Sequence, residues 1–115
     1  MRPVKRHKAY HAHVYFDENS KKVARTLCDT VATEFVVSVG RFHERCVGPH
    51  TRWSCQIAFS DKVFDELIPW LDAERNGLSV LVHGMTGDNL KDHTEYAYWL
   101  GTPVELKLDG FRADT

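Results

Sequence analysis

From Tyr10 to Phe16 the chain alternates without a break, Tyr-His-Ala-His-Val-Tyr-Phe. As a strand, this run sends Tyr10, Ala12, Val14 and Phe16 to one face and His11, His13 and Tyr15 to the other. The first set reads as a core face. The second holds two imidazoles about 6.5 Å apart along the strand, at about 3.3 Å per residue, close enough to share one metal ion or one substrate. Any fold of this chain must bury one side of the strand, and the other side raises the question of what joins the two histidines.

The later segments supply the rest of a small domain. Asp17, Asn19 and Ser20 offer helix N-caps, and Val23, Ala24, Leu27, Cys28, Val31, Ala32 and Phe35 recur at helical spacing, which predicts a helix over 20–34. The β-branched run from Val36 predicts a second strand reaching His43, and Gly48-Pro49 marks a loop over 44–52 that delivers His50 to a third strand, Trp53 to Phe59. Ser60 caps a second helix with the stripe Val63, Phe64, Leu67, Ile68 and Leu71. Pro69 lies inside it and is expected to kink or restart it. After Asn76-Gly77, Leu78 to His83 reads as a buried fourth strand. A short helix is expected from Asp92 to Leu100, and an edge strand from Val104 to Leu108.

The order is β-α-β-β-α-β with a short extension, an α+β, ferredoxin-like plan with both helices on one face of an antiparallel sheet. With strand order 4-1-3-2, and with the first and third strands taken as parallel, His11, His43, His50 and His83 are expected at one edge of the sheet.

At 115 residues the chain is expected to be one domain, 1–115, with residues 1–9 as a flexible arm. A formal charge of −1 gives no electrostatic footprint for nucleic acid or an anionic membrane, and no apolar run approaches the roughly 20 residues of a membrane-spanning helix. Three cysteines without CxxC spacing, and an N-terminus without a signal-peptide core, point to a reducing, cytoplasmic setting. Seven histidines are the unusual entry in the composition, because imidazole is the common ligand and acid/base group near neutral pH. There is no HExxH helix, zinc ribbon, phosphate loop or Gly-x-Ser-x-Gly elbow.

Four motifs then fall into order: Tyr10-His11-Ala12-His13-Val14-Tyr15-Phe16; Gly48-Pro49-His50; Leu78 to His83 with Thr86-Gly87-Asp88; and Asp92-His93-Thr94 leading to Trp99-Leu100-Gly101. Together they resemble the DOPA 4,5-dioxygenase family over nearly the whole chain. Members of that family often carry His-Pro where this sequence has His83-Gly84, a replacement expected to loosen the turn.

The resemblance implies extradiol cleavage, in which dioxygen enters a catechol ring beside its two hydroxyls. It also implies a non-haem Fe(II) site, with zinc or another divalent ion in a purified sample. On that footing His11, His13 and His83 are the expected metal set, and His50 and His93 the acid/base candidates. A carboxylate from Glu44, Asp88 or Asp92 and an all-histidine set both stand as ways to complete the site. Arg41, Arg52 and Tyr15 are candidates to orient a substrate, with Trp53 as a wall for its ring.

The partners expected are a catechol and dioxygen, with no nucleic acid or membrane. A homodimer is expected through apolar sheet surface at Val37, Val39, Ile57 and Leu81. Two other readings belong to the same residues: a dimeric module that binds a metal or ligand without turnover, and a cofactor-free monooxygenase of similar form.

Overall fold

The structure is a computed structural model that describes residues 5–111. β1 (Ala9–Phe16), α1 (Lys21–Glu34), β2 (Ser38–His43), β3 (Trp53–Ser60), α2 (Asp61–Glu74) and β4 (Val80–Gly84) follow one another in the expected order. A short α3 (Asn89–Asp92) and a fifth strand, β5 (Ala97–Leu100), come after them. The sheet order is β2-β3-β1-β4-β5, the ferredoxin-like arrangement with one strand added beside β4.

Alternation along β1 does what its sequence requires. Tyr10, Ala12, Val14 and Phe16 enter the core with Cys55, Ile57 and Phe59 of β3 and Val80 and Val82 of β4. The helices close over this face with Ala24, Leu27, Cys28 and Val31 from α1 and Phe64, Leu67, Ile68 and Leu71 from α2. Each such side chain contributes about 1.5–3 kcal/mol on leaving water, so this face carries most of the stability.

Ser60 caps α2 as expected, its hydroxyl accepting the Lys62 N–H. Ser20 is the N-cap residue of α1, but its hydroxyl turns back to Asp17 and caps no helix amide. α2 runs continuously through Pro69, which lies on its exposed side.

Strand directions differ from the expectation. β1 pairs antiparallel with both β3 and β4, because the β1-α1-β2 crossover makes β1 and β2 parallel and the return into β3 reverses direction. Ala9 therefore faces Ser60 and Tyr10 faces Gly84, while Phe16 faces Trp53. His11 and His83 are direct cross-strand partners at one end of the sheet, and His43 pairs with Ser54 at the other.

The C-terminal third also departs from expectation. Residues 97–100 form a strand on β4 instead of the end of a helix, because Tyr98 and Leu100 alternate with Trp99 to match the two faces of β4. The segment 104–108 forms no strand: Leu106 makes an isolated bridge with His50, and the Lys107 N–H and the Glu105 carbonyl bond to Pro49 and Thr51 of the same loop.

Ile57 is fully buried in the helix-covered core and Leu81 is fully buried on the opposite side of the sheet, while Val37 and Val39 pack half-buried against the core. Of the segment expected to be an arm, residues 1–4 lie outside the described residues. From Lys5 on it is engaged: the Lys5 ammonium donates to Asp65 at 3.0 Å, and the Arg6 and His7 backbone N–H groups both donate to the Tyr10 hydroxyl at 2.7 Å. No described helix is long and apolar enough to cross a membrane.

A candidate histidine metal centre

The second face of the sheet holds the site. Strand parity puts His11, His13 and Tyr15 of β1 on it, with His83 and Leu81 opposite His11 and His13 on β4, and Trp99 opposite Leu81 on β5. One ligand nitrogen from each of His11, His13 and His83 can be chosen so that all three lie within 4.8 Å of one another. The Nε2 atoms of His13 and His83 are 3.0 Å apart. That is the spacing of two neighbouring donors on one ion with bonds of about 2.0–2.1 Å.

His50 reaches the cluster by a different route from the one its sequence position implied. It is not at the His11 end of the sheet. Instead the loop from β2 turns at Gly48, whose φ of +54° suits glycine, and brings His50 over the second face. There its ring centroid lies 4.2 Å from that of His13. His93, at the C-cap of α3, lies 4.2 Å from His83 on the same measure. His43 is not brought into the cluster.

Hydrogen bonds assign the nitrogens. His83 Nδ1 is 2.9 Å from the Gly84 carbonyl and His93 Nδ1 is 2.7 Å from the Asn89 carbonyl. A carbonyl can only accept, so each Nδ1 carries a proton, and in the buried His83, held neutral, Nε2 keeps its lone pair. The Tyr15 hydroxyl is 2.6 Å from His50 Nδ1, and the Tyr15 ring stacks on Trp99. Burial pushes the Tyr15 phenol up, so it stays neutral and serves to orient His50.

Burial and mutual repulsion keep the cluster uncharged. His13 (5% exposed) is held well below the usual imidazole range, first by burial and then by the neighbouring His50, His83 and His11. Burial also lowers His50 and His83 to about 4, with His93 adding repulsion to both. His11, half-buried, is lowered by burial and by His93, against an opposing pull from Asp92. Neutral imidazole is the metal-binding form.

One prediction follows for the metal-free protein. The unfolded chain, with ordinary histidines near 6.5, binds more protons than the fold between about pH 6.5 and 4, so stability is fully present above about 6.5 and falls as pH drops toward 4. The loss is on the order of 3 kcal/mol, and a bound divalent ion should oppose it. Urea unfolding at pH 7 and pH 4.5, with and without metal, measures this.

The carboxylate candidates have other partners. Asp92 is buried, and its two oxygens accept the Thr86 N–H at 3.0 Å and the Thr86 hydroxyl at 2.6 Å, which fixes the turn after β4. Asp88 caps α3 through the Lys91 N–H, and Glu44 pairs with Lys21. Among the described residues the group that could hold a metal ion is therefore all-histidine.

Arg41 and Arg52 are exposed, Arg41 within the irregular stretch of β2 and Arg52 beside Asp17. Trp53 packs edge-on against Phe16 on the helix-covered side. The structure does not bring these three to the histidines: Trp53 has core parity, Arg52 precedes β3 at the end away from His11, and Arg41 lies exposed in the bulge of the edge strand β2.

Three features of the site had gone unread in the sequence. They are the Tyr15 link to His50, the Trp99 stack, and Phe111, whose ring lies 4.8 Å from that of His93 at 29°. Only the first had a visible signal, because Tyr15 shares the parity of His11 and His13.

Gly84 is not loose. Its N–H donates to the Tyr96 carbonyl at 3.2 Å and it pairs with Tyr10.

Comparison with known proteins finds relatives of this chain. The chain is 40% identical to a candidate dioxygenase from Nostoc punctiforme, whose crystal structure superposes with a TM-score of 0.87 over 89% of each chain. It is 34% identical to a 21.2 kDa protein of Botryotinia fuckeliana over 87% of this chain and 61% of that one. It is 32% identical to the DOPA 4,5-dioxygenase of Amanita muscaria over 88% of this chain and 48% of that one. The chain thus spans about half to three-fifths of the length of these two fungal relatives. Residues 10–110, the strands and loops that carry all five clustered histidines, match the Dopa 4,5-dioxygenase family, and the chain belongs to that family.

Proposed function

We propose that this protein is a metal-dependent dioxygenase that opens the ring of DOPA or a related catechol beside its two hydroxyls, with Fe(II) held by His11, His13 and His83. The observation that carries this reading is the division of labour among five clustered imidazoles. Three offer converging nitrogens, and two more stand beside them, each fixed through Nδ1 by a separate partner. A binding module needs only the first group, whereas ring cleavage also needs proton transfer. Fe(II) held by these three side chains would supply the redox and Lewis-acid chemistry that activates a catechol toward dioxygen.

The chain's own residues do the remaining work. His93, its Nδ1 held by Asn89 and its ring against His83, takes a catechol hydroxyl proton at Nε2. His50, held by Tyr15, takes the second hydroxyl proton and returns it as the ring opens. The cover formed by the His50 loop and the 101–111 segment keeps water from the inner histidines, His13 and His83. The reaction balances without a reductant, because both atoms of dioxygen enter the product. Three free thiols support a reducing, cytoplasmic setting for such a site.

Anaerobic loading with Fe(II), followed by dioxygen and a panel of catechols, tests the proposal. A yellow semialdehyde with matching oxygen uptake is the expected result. Colourless mixtures and unconsumed oxygen across the panel would count against it.

Tyr15→Phe tests the support of His50. It leaves a buried nitrogen unpaired, at about 1–3 kcal/mol. Stability should fall by that order and turnover by roughly tenfold, with metal stoichiometry unchanged, as read by calorimetry and metal analysis.

A further inference from the structure

Gly84 ends β4 one residue after His83, and its backbone is outside the left-handed region, so its own conformation does not demand glycine. The obstacle to a side chain there is His7. A Cβ on Gly84 would stand 2.4 Å from Cδ2 and 2.7 Å from Cγ of the His7 ring. That ring is set edge-on to Tyr10 and Tyr96, with centroids 5.7 and 4.6 Å away. Its Nε2 is buried with no hydrogen-bond partner, so the ring is held by shape and not by polar contacts. Tyr96 in turn takes the Gly84 N–H, and the Gly84 carbonyl takes the Nδ1–H of His83.

We infer that His7 is a positioning residue. Its imidazole fills the notch above Gly84 and holds in place the carbonyl that sets the ring of His83. His7 touches neither substrate nor metal, and it acts through two steps of packing and one hydrogen bond. The complementarity is reciprocal: a side chain at 84 expels the His7 ring, and removing the ring makes room for that side chain.

The inference rests on the proposed metal centre only for its catalytic consequence, and the test separates the two. Four variants of the full chain are compared with the wild type: His7→Ala, His7→Phe, Gly84→Ala and the double variant His7→Ala/Gly84→Ala. The first readout is the exchange rate of the His83 Nδ1 proton, seen by NMR of the metal-free protein. It should rise roughly tenfold in His7→Ala and Gly84→Ala as local opening becomes easier. It should return toward wild type in His7→Phe, which restores a ring without the unpaired nitrogen, and in the double variant, which refills the notch. The second readout is titration with cobalt(II) alone. Affinity should drop about 5- to 10-fold in the first pair and recover in the second, the scale of losing support behind a ligand.

Equal losses in His7→Phe and His7→Ala would overturn the inference, because they would make the nitrogen essential. Losses that simply add in the double variant would overturn it as well. If the proton follows the expected pattern but the wild type binds no cobalt, the metal reading fails and the role of His7 in setting His83 stands.

Discussion

His83→Ala should leave a folded protein that no longer holds a metal ion at stoichiometric concentrations. The His83 ring is 1% exposed, its Nδ1 proton is committed to Gly84, and its Nε2 stands 3.0 Å from that of His13. Zinc-finger sites release about 10–16 kcal/mol through four ligands, or roughly 3–4 kcal/mol per ligand, so one lost imidazole should weaken binding roughly 100- to 1000-fold. Activity should vanish with the metal.

A second consequence has the opposite sign and guards against a folding artefact. Because burial holds His83 near 4, the folded wild type resists its protonation, and deleting the ring removes one source of acid sensitivity. The metal-free variant should therefore lose less stability between pH 7 and pH 4.5 than the metal-free wild type. Cobalt titration and urea unfolding at the two pH values check both statements.

His93→Gln should do the reverse, keeping the metal and losing the chemistry. The His93 ring packs against His83, but its nitrogens fall outside the set that converges with those of His11 and His13. Its Nδ1–H is spent on Asn89, which leaves Nε2 as the only base it can offer. General acid–base groups contribute about 10²–10⁴-fold, so turnover should fall roughly 100-fold or more while metal affinity stays within about threefold. Single-turnover kinetics on the metal-loaded variant measure the first quantity, and cobalt titration the second. A variant that loses metal and activity in parallel would place His93 among the ligands.

Much of this was legible in the chain itself, for reasons that can be named. Period-two alternation assigned both faces of β1, so the parity of His11, His13 and Tyr15 needed no structure. Helical spacing found α1 and α2 because their buried stripes recur every three or four residues. The order of elements then gave the ferredoxin-like plan.

What was not legible depends on relations between distant segments. Strand direction followed from the crossover, and taking β1 and β3 as parallel put His43 and His50 at the wrong end of the sheet. His50 joins the site because a loop crosses a face, and no periodicity reports a loop's path. The aromatic run Tyr96 to Trp99 suits a helix or a strand. The open edge of β4 decided for a strand, and 104–108 was left to pair with the His50 loop. The arginines and Trp53 looked suited to a substrate by chemical type, and their placement depended on parity and on which end of β3 they flank.

The central claim is that the histidine face opens a catechol ring with both atoms of dioxygen. The most direct measurement is mass analysis of the product formed by Fe(II)-loaded protein from DOPA under oxygen-18 gas, alongside an oxygen electrode. The account predicts one dioxygen consumed per catechol without added reductant, and a ring-opened product whose new carboxylate oxygen comes from the gas. A product labelled only from water, or oxygen uptake equally fast without metal, would contradict it.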